Sequence, residues 1–572
     1  MIEPMTRYYF LLLSGQKEDF LEELQGLGLV DITRSEKPID ERSSALLARI
    51  EAQRRVISEI ESGRDAHLKE LETETVRLEK EAEDLAHWGA YEREKLIATG
   101  IPVHFYRLPE KQFRKIPTSD YAIQVVEEEG HSVRFVLLGD NAGFPAAELP
   151  APDHTVTEAR AAVAAKKDEA DAYEKSLLDR RGELPALKET LHKDEQELAR
   201  ILAAGTAEEA VEGSVVLLTG YAPSDSTKQV EALLDRAPVV WLKKEAEAAD
   251  NPPVSLRNNW FVRQFELLTK MYGSPAYDEF DPTPILGPFF LLFFAMCMGD
   301  AGYGLLLIAL GWVLGKKSPS MASFSPLVMM LGGATFVVGI VLHTFFGINL
   351  YEAAWVPDGL KSIMIAGKVA GYDAQMVLAI GVGVVHICLA MVIKALCYTR
   401  KNGFLQSLST WGWALLIVGG VILGGIALTG VLDRSVTKWA LIALGAVSAC
   451  GIFLFNKPGR NPLLNIGAGL WDSYNTISGL LGDVLSYLRL FALGMAGGML
   501  GQTFNMLAGL VLQAPVPGIN WLGFLVILLI GHGLNLALSC LGAFVHPLRL
   551  TFVEYFKNSG YEGTGRAYNP LK

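Results

Sequence analysis

Hydrophobic and polar residues divide the chain into two halves with different patterns. Up to about residue 255 the apolar residues are interspersed with charged ones, whereas from about residue 282 they gather into long runs. These runs cover residues 284–314, 324–350, 376–397, 408–432, 439–455, 463–512 and 519–556. A helix needs about 20 apolar residues to cross a bilayer, so the pattern predicts a bundle of transmembrane helices. The last two runs are much longer than that, which predicts two long, tilted helices at the C-terminus.

The first apolar run is interrupted at residues 299–304 (GDAGYG), a composition that weakens a helix and favours a turn. Loop charges then indicate the number of spans, because basic loops stay on the cytoplasmic side. If the run forms a hairpin, the basic pairs Lys316-Lys317, Arg400-Lys401 and Lys457 with Arg460 all face the cytoplasm. A single helix would give seven spans with these loops outside. The charge pattern therefore favours a hairpin and about eight spans.

The charged half predicts an α+β region built from distant segments. Residues 7–13, 215–221 and 239–242 are aromatic or apolar and are typical of buried strands, with a helix predicted over 226–237. We expect them to close into one small α/β lobe. A second lobe is predicted between them, from strand-like stretches at 103–108, 121–127 and 132–138.

Two helical stretches separate these lobes and repeat apolar residues every seven positions. The first repeat comprises Ile50, Ile57, Leu71, Leu78 and Leu85 and is interrupted at Arg64. The second repeat comprises Leu177, Leu184, Leu191 and Leu198. Such heptads favour an antiparallel coiled coil. The predicted fold is an α-helical membrane protein plus an α+β cytoplasmic domain. This domain is an antiparallel coiled-coil rod with a small α/β lobe at each end.

The predicted domain boundaries follow from these patterns. The cytoplasmic arm covers residues 1–255, followed by a linker at 256–283 and a transmembrane ion-translocating domain at 284–572. Within the arm, the proximal lobe covers 1–35 and 205–250, the coiled coil 36–92 and 154–204, and the distal lobe 93–153. Because no signal peptide is recognisable at the start of the sequence, we expect the N-terminal domain, and with it the C-terminus, to be cytoplasmic.

Composition narrows the function. Residues 256–572 hold 13 of the 63 acidic side chains and 19 of the 51 lysines and arginines, so the first half carries 50 acids against 32 bases. This acidic balance argues against a nucleic-acid partner. The five cysteines have no spacing typical of metal or redox sites. Phosphate-binding, metalloprotease and serine-hydrolase motifs are also missing from the cytoplasmic half. We therefore expect no catalytic site, metal or cofactor in this sequence.

The candidate chemistry lies in two arginines within the last apolar runs. Arg489 stands in the middle of one run and Arg549 near the end of the other, each between two leucines. A guanidinium stays charged at physiological pH, and placing it at the bilayer centre costs from roughly 2.5 to 17 kcal/mol. Such a residue needs a carboxylate partner or a water-filled path. The sequence therefore predicts an ion route across a membrane.

Polar residues flank the two arginines on opposite sides. On the helical face of Arg489, Asn475, Ser478 and Ser486 all precede the arginine, toward the predicted cytoplasmic side. On the last run His532, Asn535, Ser539 and His546 precede Arg549, toward the predicted outside. This pattern predicts two offset half-channels separated by positive charge. An alternative interpretation is that the serines and asparagines are ordinary helix-packing residues. We expect Asp300, His343 and His386 to cap or pack, and Lys394 to snorkel.

The two arginine motifs resemble those of a known family, the membrane stator subunit (subunit a or subunit I) of rotary V/A-type ATPases. Residues 486–493 (SYLRLFAL) are similar to the family's SYLRLWAL signature, and residues 546–554 (HPLRLTFVE), which include Glu554, are similar to its second signature. Residues 298–304 resemble the family's first membrane segment. Two departures stand out: Ser539 stands where eukaryotic relatives carry a glutamate ten residues before the second arginine, and Asn475 replaces a family carboxylate.

The resemblance implies a set of roles and partners. Arg489 and Arg549 would face the proteolipid rotor ring and attract its ionised carboxylate. The N-terminal arm would bind peripheral-stalk E/G-type subunits, with a central-stalk d/C-type subunit as a further partner, and ATP would be hydrolysed on other chains. The compact loops indicate a prokaryotic plasma membrane protein. The alternative is a secondary ion transporter with a cytoplasmic coiled-coil regulatory domain, which predicts internal repeats that the sequence does not show. The choice between H⁺ and Na⁺, and between pump and synthase, stays open.

Overall fold

The computed structural model describes residues 2–35, 37–88, 100–116, 121–129, 132–141, 144–149, 155–210, 213–317, 321–369, 371–429, 433–455, 462–513 and 519–572. These residues form two compact units. The larger unit contains Met1–Ser14, Glu23–Ile32 and Glu209–Pro570, and the smaller contains Gly15–Glu22, Thr33–Glu208 and Leu571–Lys572. Lys457, Arg460 and parts of the predicted lobes and loops lie outside the described residues.

The elements of the charged half follow in chain order. The strands are β1 (Met5–Leu13), β2 (Asp31–Ile32), β3 (Val103–Pro109), β4 (Ile123–Glu129), β5 (Ser132–Leu138), β6 (Glu208–Ala210), β7 (Val215–Pro223) and β8 (Val240–Glu245). The helices are α1 (Lys17–Leu27), α2 (Glu41–Ser62), α3 (Ala66–Ala86), α4 (Glu110–Phe113), α5 (Val156–Asp179), α6 (Leu184–Ala204), α7 (Thr227–Leu234), α8 (Trp260–Arg263) and α9 (Glu266–Tyr272).

The smaller unit is built on two helical arms that pack antiparallel. Helix α2 packs against α6, and α3 packs against α5. Each arm is broken at the same level: Gly63 ends α2 with a φ of 68°, and a 3₁₀ turn at Arg180–Glu183 separates α5 from α6. The heptad residues Ile50 and Ile57 are buried, as are Leu71, Leu85 and Leu177. The helices thus pair through the predicted positions, while the coiled-coil supercoil stays a prediction.

The distal sheet of this unit is antiparallel, in the order β3-β5-β4. Its core consists of Tyr106, Val133, Phe135 and Leu137. Arg134, on the central strand, is buried and its guanidinium lies 2.9 Å from the Glu127 carboxylate. The predicted strands are therefore present and form a small core of their own.

In the larger unit, the predicted strands of the proximal lobe pair in one antiparallel sheet. Its order is β2-β7-β1-β8, with β1 and β7 in register from Met5↔Pro223 to Leu13↔Val215. The C-terminal tail returns to this sheet. Arg566 forms an ion pair of 2.8 Å with buried Asp31, and the Tyr568 hydroxyl donates to the carbonyl of Leu29. The two ends of the sequence therefore stabilise the same sheet, although they lie more than 500 residues apart in the sequence.

The apolar half is helical, with two short hairpins. Its elements are α10 (Thr283–Met298), α11 (Ala301–Lys317), α12 (Ser325–Val341), β9 (Thr344–Phe345), β10 (Ile348–Asn349), α13 (Asp358–Lys361), β11 (Lys368–Val369), β12 (Tyr372–Asp373), α14 (Ala374–Asn402), α15 (Leu408–Thr429), α16 (Arg434–Ala449), α17 (Pro462–Ser486), α18 (Leu488–Leu512), α19 (Ile519–Arg549) and α20 (Phe556–Ser559). Among the described residues, five helices are long and apolar enough to cross a membrane: Ala374–Asn402, Leu405–Ala427, Arg434–Leu454, Asn465–Leu512 and Asn520–Ser559. The chain is therefore a membrane protein.

Three further apolar helices, α10, α11 and α12, are shorter. The helix breaks at Gly299, where φ is 61°, as the sequence predicts. Helix α11 runs antiparallel to α12 with glycines at the contact, since a Cβ at Gly304 would come within 2.5 Å of the Phe336 nitrogen. Helix α10 also packs against α12, and both end beside Asp300, so the chain reverses direction at Gly299. The count of eight spans stays a prediction.

The two long C-terminal segments pack antiparallel. Along their contact, Gly497 of α18 lies next to the side chain of Ser539 of α19, and Gly531 of α19 lies next to the side chain of Phe504 of α18. Two irregularities depart from the continuous helices that periodicity predicts. Tyr487 forms a turn between α17 and α18, and a π-helical turn at Leu550–Tyr555 follows Arg549. π-Turns inside helices are frequent at functional sites.

Candidate functional site

Arg489 lies in the first turn of α18, immediately after the break at Tyr487. Its Nη1 atom is buried and has no hydrogen-bond partner among the described residues. No carboxylate of the described chain forms an ion pair with it. Arg489 as a whole is half-buried, and a guanidinium with a buried nitrogen and no counter-charge is unfavourable in an apolar environment. The charge of Arg489 is thus uncompensated within this chain's described part.

Arg549 is the last residue of α19 and is exposed. His546, one turn earlier, lies within electrostatic range of both Arg549 and Arg489. The Nδ1 atom of His546 is buried and lacks a partner in the described part of the chain. The structure therefore brings the two predicted arginines and one predicted histidine together, although the arginines are 60 residues apart in the sequence.

The helix break before Arg489 is held in the core of the bundle. The Tyr487 hydroxyl and the His386 Nδ1 atom are 2.9 Å apart, and both residues are fully buried. The His386 ring stacks between Phe289 and Tyr555, with centroids 4.3 and 4.5 Å away. His386 therefore packs, as expected from the sequence. Its contact with Tyr487 fixes the residue two positions before Arg489.

A polar cluster lies on the predicted cytoplasmic side of Arg489. Glu554, in the π-turn, is buried beside Ser486, and its Oε2 atom has no partner among the described residues. Asp483 accepts a hydrogen bond of 2.7 Å from the Asn558 amide and lies 3.5 Å from the Lys557 ammonium. These groups make the C-terminal end of α17 polar, and its role as an ion route stays a prediction.

A cavity of about 290 Å³ adjoins this cluster. Asn475, Asp483, Lys394 and Lys557 are among the residues that line it. Ser478 is exposed and is not part of the lining. Of the residues predicted for this side, Asn475 therefore borders the cavity, Ser486 borders Glu554, and Ser478 lies apart from both.

The polar residues of α19 form a hydrogen-bonded network with α11 and α18. The Asn535 amide, 1% exposed, donates to the Tyr303 hydroxyl and to the Gly497 carbonyl, each at 2.8 Å. The Tyr303 hydroxyl lies 2.8 Å from His532 Nδ1, and His532 Nε2 lies 3.0 Å from Asn505 Oδ1. Ser539 donates to Asn535 Oδ1 at 3.3 Å. We call this set the α19 network; it joins three predicted residues to two that the sequence did not single out.

Asp300 anchors a loop against this network. Its carboxylate, 1% exposed, accepts backbone N–H bonds from Gly302 and Tyr303 at the start of α11, at 2.8 and 3.3 Å. It also accepts the N–H groups of Phe346 and Gly347, each at 2.8 Å. Those two residues form the tip of the β9–β10 hairpin and both have positive φ, 46° and 70°. Asp300 therefore caps a helix, as expected, and also holds the hairpin.

Sequence reasoning missed Tyr303, Asn505, Lys557 and Asn558. Tyr303 lies in the glycine-rich break, which was the available signal, but its partners His532 and Asn535 are more than 220 residues away in the sequence. Among the described residues, no cluster of three or more His, Cys, Asp or Glu side chains could hold a metal ion.

Comparison with known proteins gives consistent matches. Residues 164–348 match the V-type ATPase 116kDa subunit family. The A-type ATP synthase subunit I of Methanocaldococcus jannaschii is 29% identical over 385 residues, which cover 62% of this chain and 54% of the relative. The V-type ATP synthase subunit I 1 of Treponema pallidum is 27% identical over 639 aligned positions and is covered completely. The A-type ATP synthase subunit I of Pyrococcus abyssi is 32% identical over 340 residues, 57% of this chain and 48% of the relative.

The chain thus spans about half the length of the archaeal relatives it matches and the whole of the Treponema pallidum protein. The matched segment 164–348 contains most of α5, all of α6 and the glycine-rich break at Gly299. Together with the membrane helices and the two arginine motifs, these matches support a relationship of the chain to the V/A-type ATPase subunit a/I family.

Proposed function

We propose that this chain is the stationary subunit of the membrane sector of a V/A-type rotary ATPase and couples translocation of H⁺ or Na⁺ to rotation of a proteolipid ring. ATP is hydrolysed or synthesised on other subunits. The observation that carries the proposal is the uncompensated guanidinium of Arg489, buried at Nη1 in an apolar helix without a carboxylate partner among the described residues. The missing negative charge is supplied by a partner's carboxylate.

The chemistry follows from the electrostatics of that pair. An arginine within about 4–6 Å of a carboxylate favours the ionised form of the acid. A rotor carboxylate that arrives opposite Arg489 therefore releases its ion, and it takes up another after moving past. Arg549 and His546 lie in the same electrostatic neighbourhood and extend the positive surface. Because this surface also repels free cations, ions do not pass directly from one side to the other.

The polar groups on the two sides of Arg489 supply the two access routes. Asn475, Ser486 and Glu554 belong to the cytoplasmic half-channel, next to the cavity that Asp483 and Lys557 line, and Ser478 lies on the same helix away from that cavity. On the outer side, His532, Asn535, Ser539 and His546 lie on α19, toward the predicted outside from Arg549. The offset between the two sets makes ion transfer depend on rotation of the ring.

The cytoplasmic arm has the role of an anchor. The outer strand of the proximal sheet, β8, carries Val240 and Leu242 with exposed fractions of 70% and 65%, in a sheet whose edges can accept a partner. Peripheral-stalk E/G-type subunits bind the lobes and resist torque, and a central-stalk d/C-type subunit contacts the same membrane sector. Held in this way, the chain stays still while the ring turns.

Substitution of the two arginines tests the proposal. In vesicles that contain the complete complex, Arg489→Ala abolishes ATP-driven ion uptake while the complex still co-purifies, and Arg549→Ala reduces uptake less completely. Arg434→Ala, which changes an exposed arginine at the start of α16, is the matched control and leaves uptake unchanged. Normal ATP-driven uptake in an assembled Arg489→Ala complex refutes the proposal. Uptake that needs no ATP favours the secondary transporter.

A further inference from the structure

One side chain of α14 touches both C-terminal segments that carry the charged groups of the site. His386 is fully buried, and its Nδ1 atom lies 2.9 Å from the Tyr487 hydroxyl. The same imidazole ring stacks on the ring of Tyr555, with the centroids 4.5 Å and the planes 5° apart. Tyr487 lies two positions before Arg489, and Tyr555 directly follows Glu554. A single ring therefore contacts the segment of the arginine and the segment of the carboxylate.

We infer that His386 is a positioning residue for the proposed ion transfer, because its ring fixes the distance between Arg489 on one segment and Glu554 on the other. The inference rests on the proposed function, in which the ion passes between the polar cluster that contains Glu554 and a rotor carboxylate opposite Arg489. Small displacements of reacting groups have large effects on rate. A changed distance would separate the polar cluster from the place where the arginine favours the ionised carboxylate.

The tyrosine before Arg489 is held along its whole length by α14. Gly383 and His386 are three residues apart and therefore lie on the same face of this helix. A Cβ at Gly383 would come 2.3 Å from the Tyr487 Cγ atom, so the base of the tyrosine ring lies directly on the α14 backbone. The hydroxyl at the other end of the ring meets His386. The ring cannot slide along α14 without losing this bond.

The π-turn is held by the face of the same imidazole. Tyr555 is the last residue of this turn and is fully buried against His386. Nearly parallel rings at this distance are one of the favoured arrangements of aromatic pairs. Glu554 lies beside Ser486, which directly precedes Tyr487 in the sequence. The two C-terminal segments therefore meet next to the place where His386 contacts both of them.

Packing alone does not explain why a histidine occupies this position. The His386 Nε2 atom and the Tyr555 hydroxyl are buried without a hydrogen-bond partner among the described residues, and such groups lower stability. A phenylalanine in place of His386 would keep the stacked ring without the unpaired nitrogen. Replacing both members of a buried polar pair by apolar groups of the same shape is often neutral for stability. What the imidazole adds is the directional bond to Tyr487.

A double variant in the complete complex separates positioning from stability. His386→Phe and Tyr487→Phe each leave the other polar group of the pair buried and unpaired, whereas the double variant removes both. We expect the melting temperature of the double variant to return to that of the wild type, while ATP-driven ion uptake per assembled complex stays about tenfold lower. Val385→Phe, which changes a residue of α14 with an exposed fraction of 58%, is the control and leaves both measurements unchanged.

The inference is overturned if uptake in the double variant recovers together with the melting temperature, because His386 would then act through stability alone. This outcome is distinct from failure of the proposed function, which is scored by normal ATP-driven uptake in an assembled Arg489→Ala complex.

A second measurement reports the distance itself and needs no transport. With the five native cysteines replaced, Ser486→Cys and Glu554→Cys are introduced together, and the rate of disulfide formation on oxidation is measured in the assembled complex. We expect the disulfide to form about tenfold more slowly when His386→Phe and Tyr487→Phe are also present. Equal rates with and without these two substitutions would show that the imidazole does not fix the distance.

Discussion

Replacement of Asp300 by asparagine should release the β9–β10 hairpin. The carboxylate accepts three N–H bonds on Oδ1, from Gly302, Tyr303 and Phe346, and one on Oδ2, from Gly347. An asparagine keeps a single acceptor oxygen, and its amide group presents hydrogens where the second oxygen was. The least costly orientation keeps the three bonds on one oxygen and leaves the Gly347 N–H without a partner.

The free-energy cost can be worked out from these bonds. A buried N–H without a partner costs about 1–3 kcal/mol, and each bond that changes from a charged to a neutral acceptor loses about 1 kcal/mol. Only the bonds to Phe346 and Gly347 hold the hairpin, so the low end for the Gly347 N–H and the one weakened bond to Phe346 destabilise it by about 2 kcal/mol. Since 1.4 kcal/mol corresponds to a factor of ten, the opening equilibrium rises by roughly 30-fold.

Hydrogen exchange of the Phe346 and Gly347 amides measures this opening directly, because protected amides exchange through local opening. We expect Asp300→Asn to accelerate both by about 30-fold. Asp358→Asn removes an exposed carboxylate at the start of α13, and it should leave their exchange unchanged. Acceleration below about threefold in Asp300→Asn would show that the carboxylate does not hold the hairpin.

Two further predictions concern the core and the arm. Tyr487→Phe leaves His386 Nδ1 buried without its partner, at a cost of about 1–3 kcal/mol, so the melting temperature of the purified complex should fall. Tyr474→Phe, which changes an exposed tyrosine, should not change the melting temperature. Equal melting temperatures of the two variants contradict this assignment. In the arm, partial burial opposes ionisation of Asp65, but the Leu68 amide and the Tyr173 hydroxyl hold its pKa below 3.8. Its stabilisation of α3 is therefore present above pH 3.8 and lost as pH falls through the lower folded-state pKa. Amide exchange at the start of α3 should accelerate in that pH range in the wild type, and Asp65→Asn should remove this pH step. A pH step that persists in the variant contradicts the prediction.

The sequence predicted the features that depend on local pattern. The strands of both lobes, the turn at Gly299 and the capping role of Asp300 follow from residues next to one another in the chain. The two arginines were recognisable because a fixed charge in an apolar run is costly wherever it is placed. Heptad positions such as Ile50 and Leu71 indicated the buried faces of the arms for the same local reason.

Features that depend on distant contacts could not be read from the sequence. The uninterrupted apolar run predicts one continuous helix through Tyr487, whereas the structure has a turn there, at the residue whose side chain bonds to His386, about 100 residues earlier. Likewise, the position of Asn535 on a helix face is compatible with both interpretations, a helix-packing residue or a half-channel residue. Only its contacts with Tyr303 and Gly497, from two other helices, show that its amide is already occupied.

The central claim is that Arg489 faces a carboxylate on a moving partner. Ala492 lies one turn beyond Arg489 on the same face and is exposed, so a cysteine at this position reports the neighbour directly. In the assembled complex, Ala492→Cys should cross-link to a cysteine scanned along the ring helix that carries the carboxylate, within one turn of that residue. Leu441→Cys, exposed on α16, should give no ring product. An Ala492→Cys complex that is assembled and active but never cross-links to the ring would contradict the account.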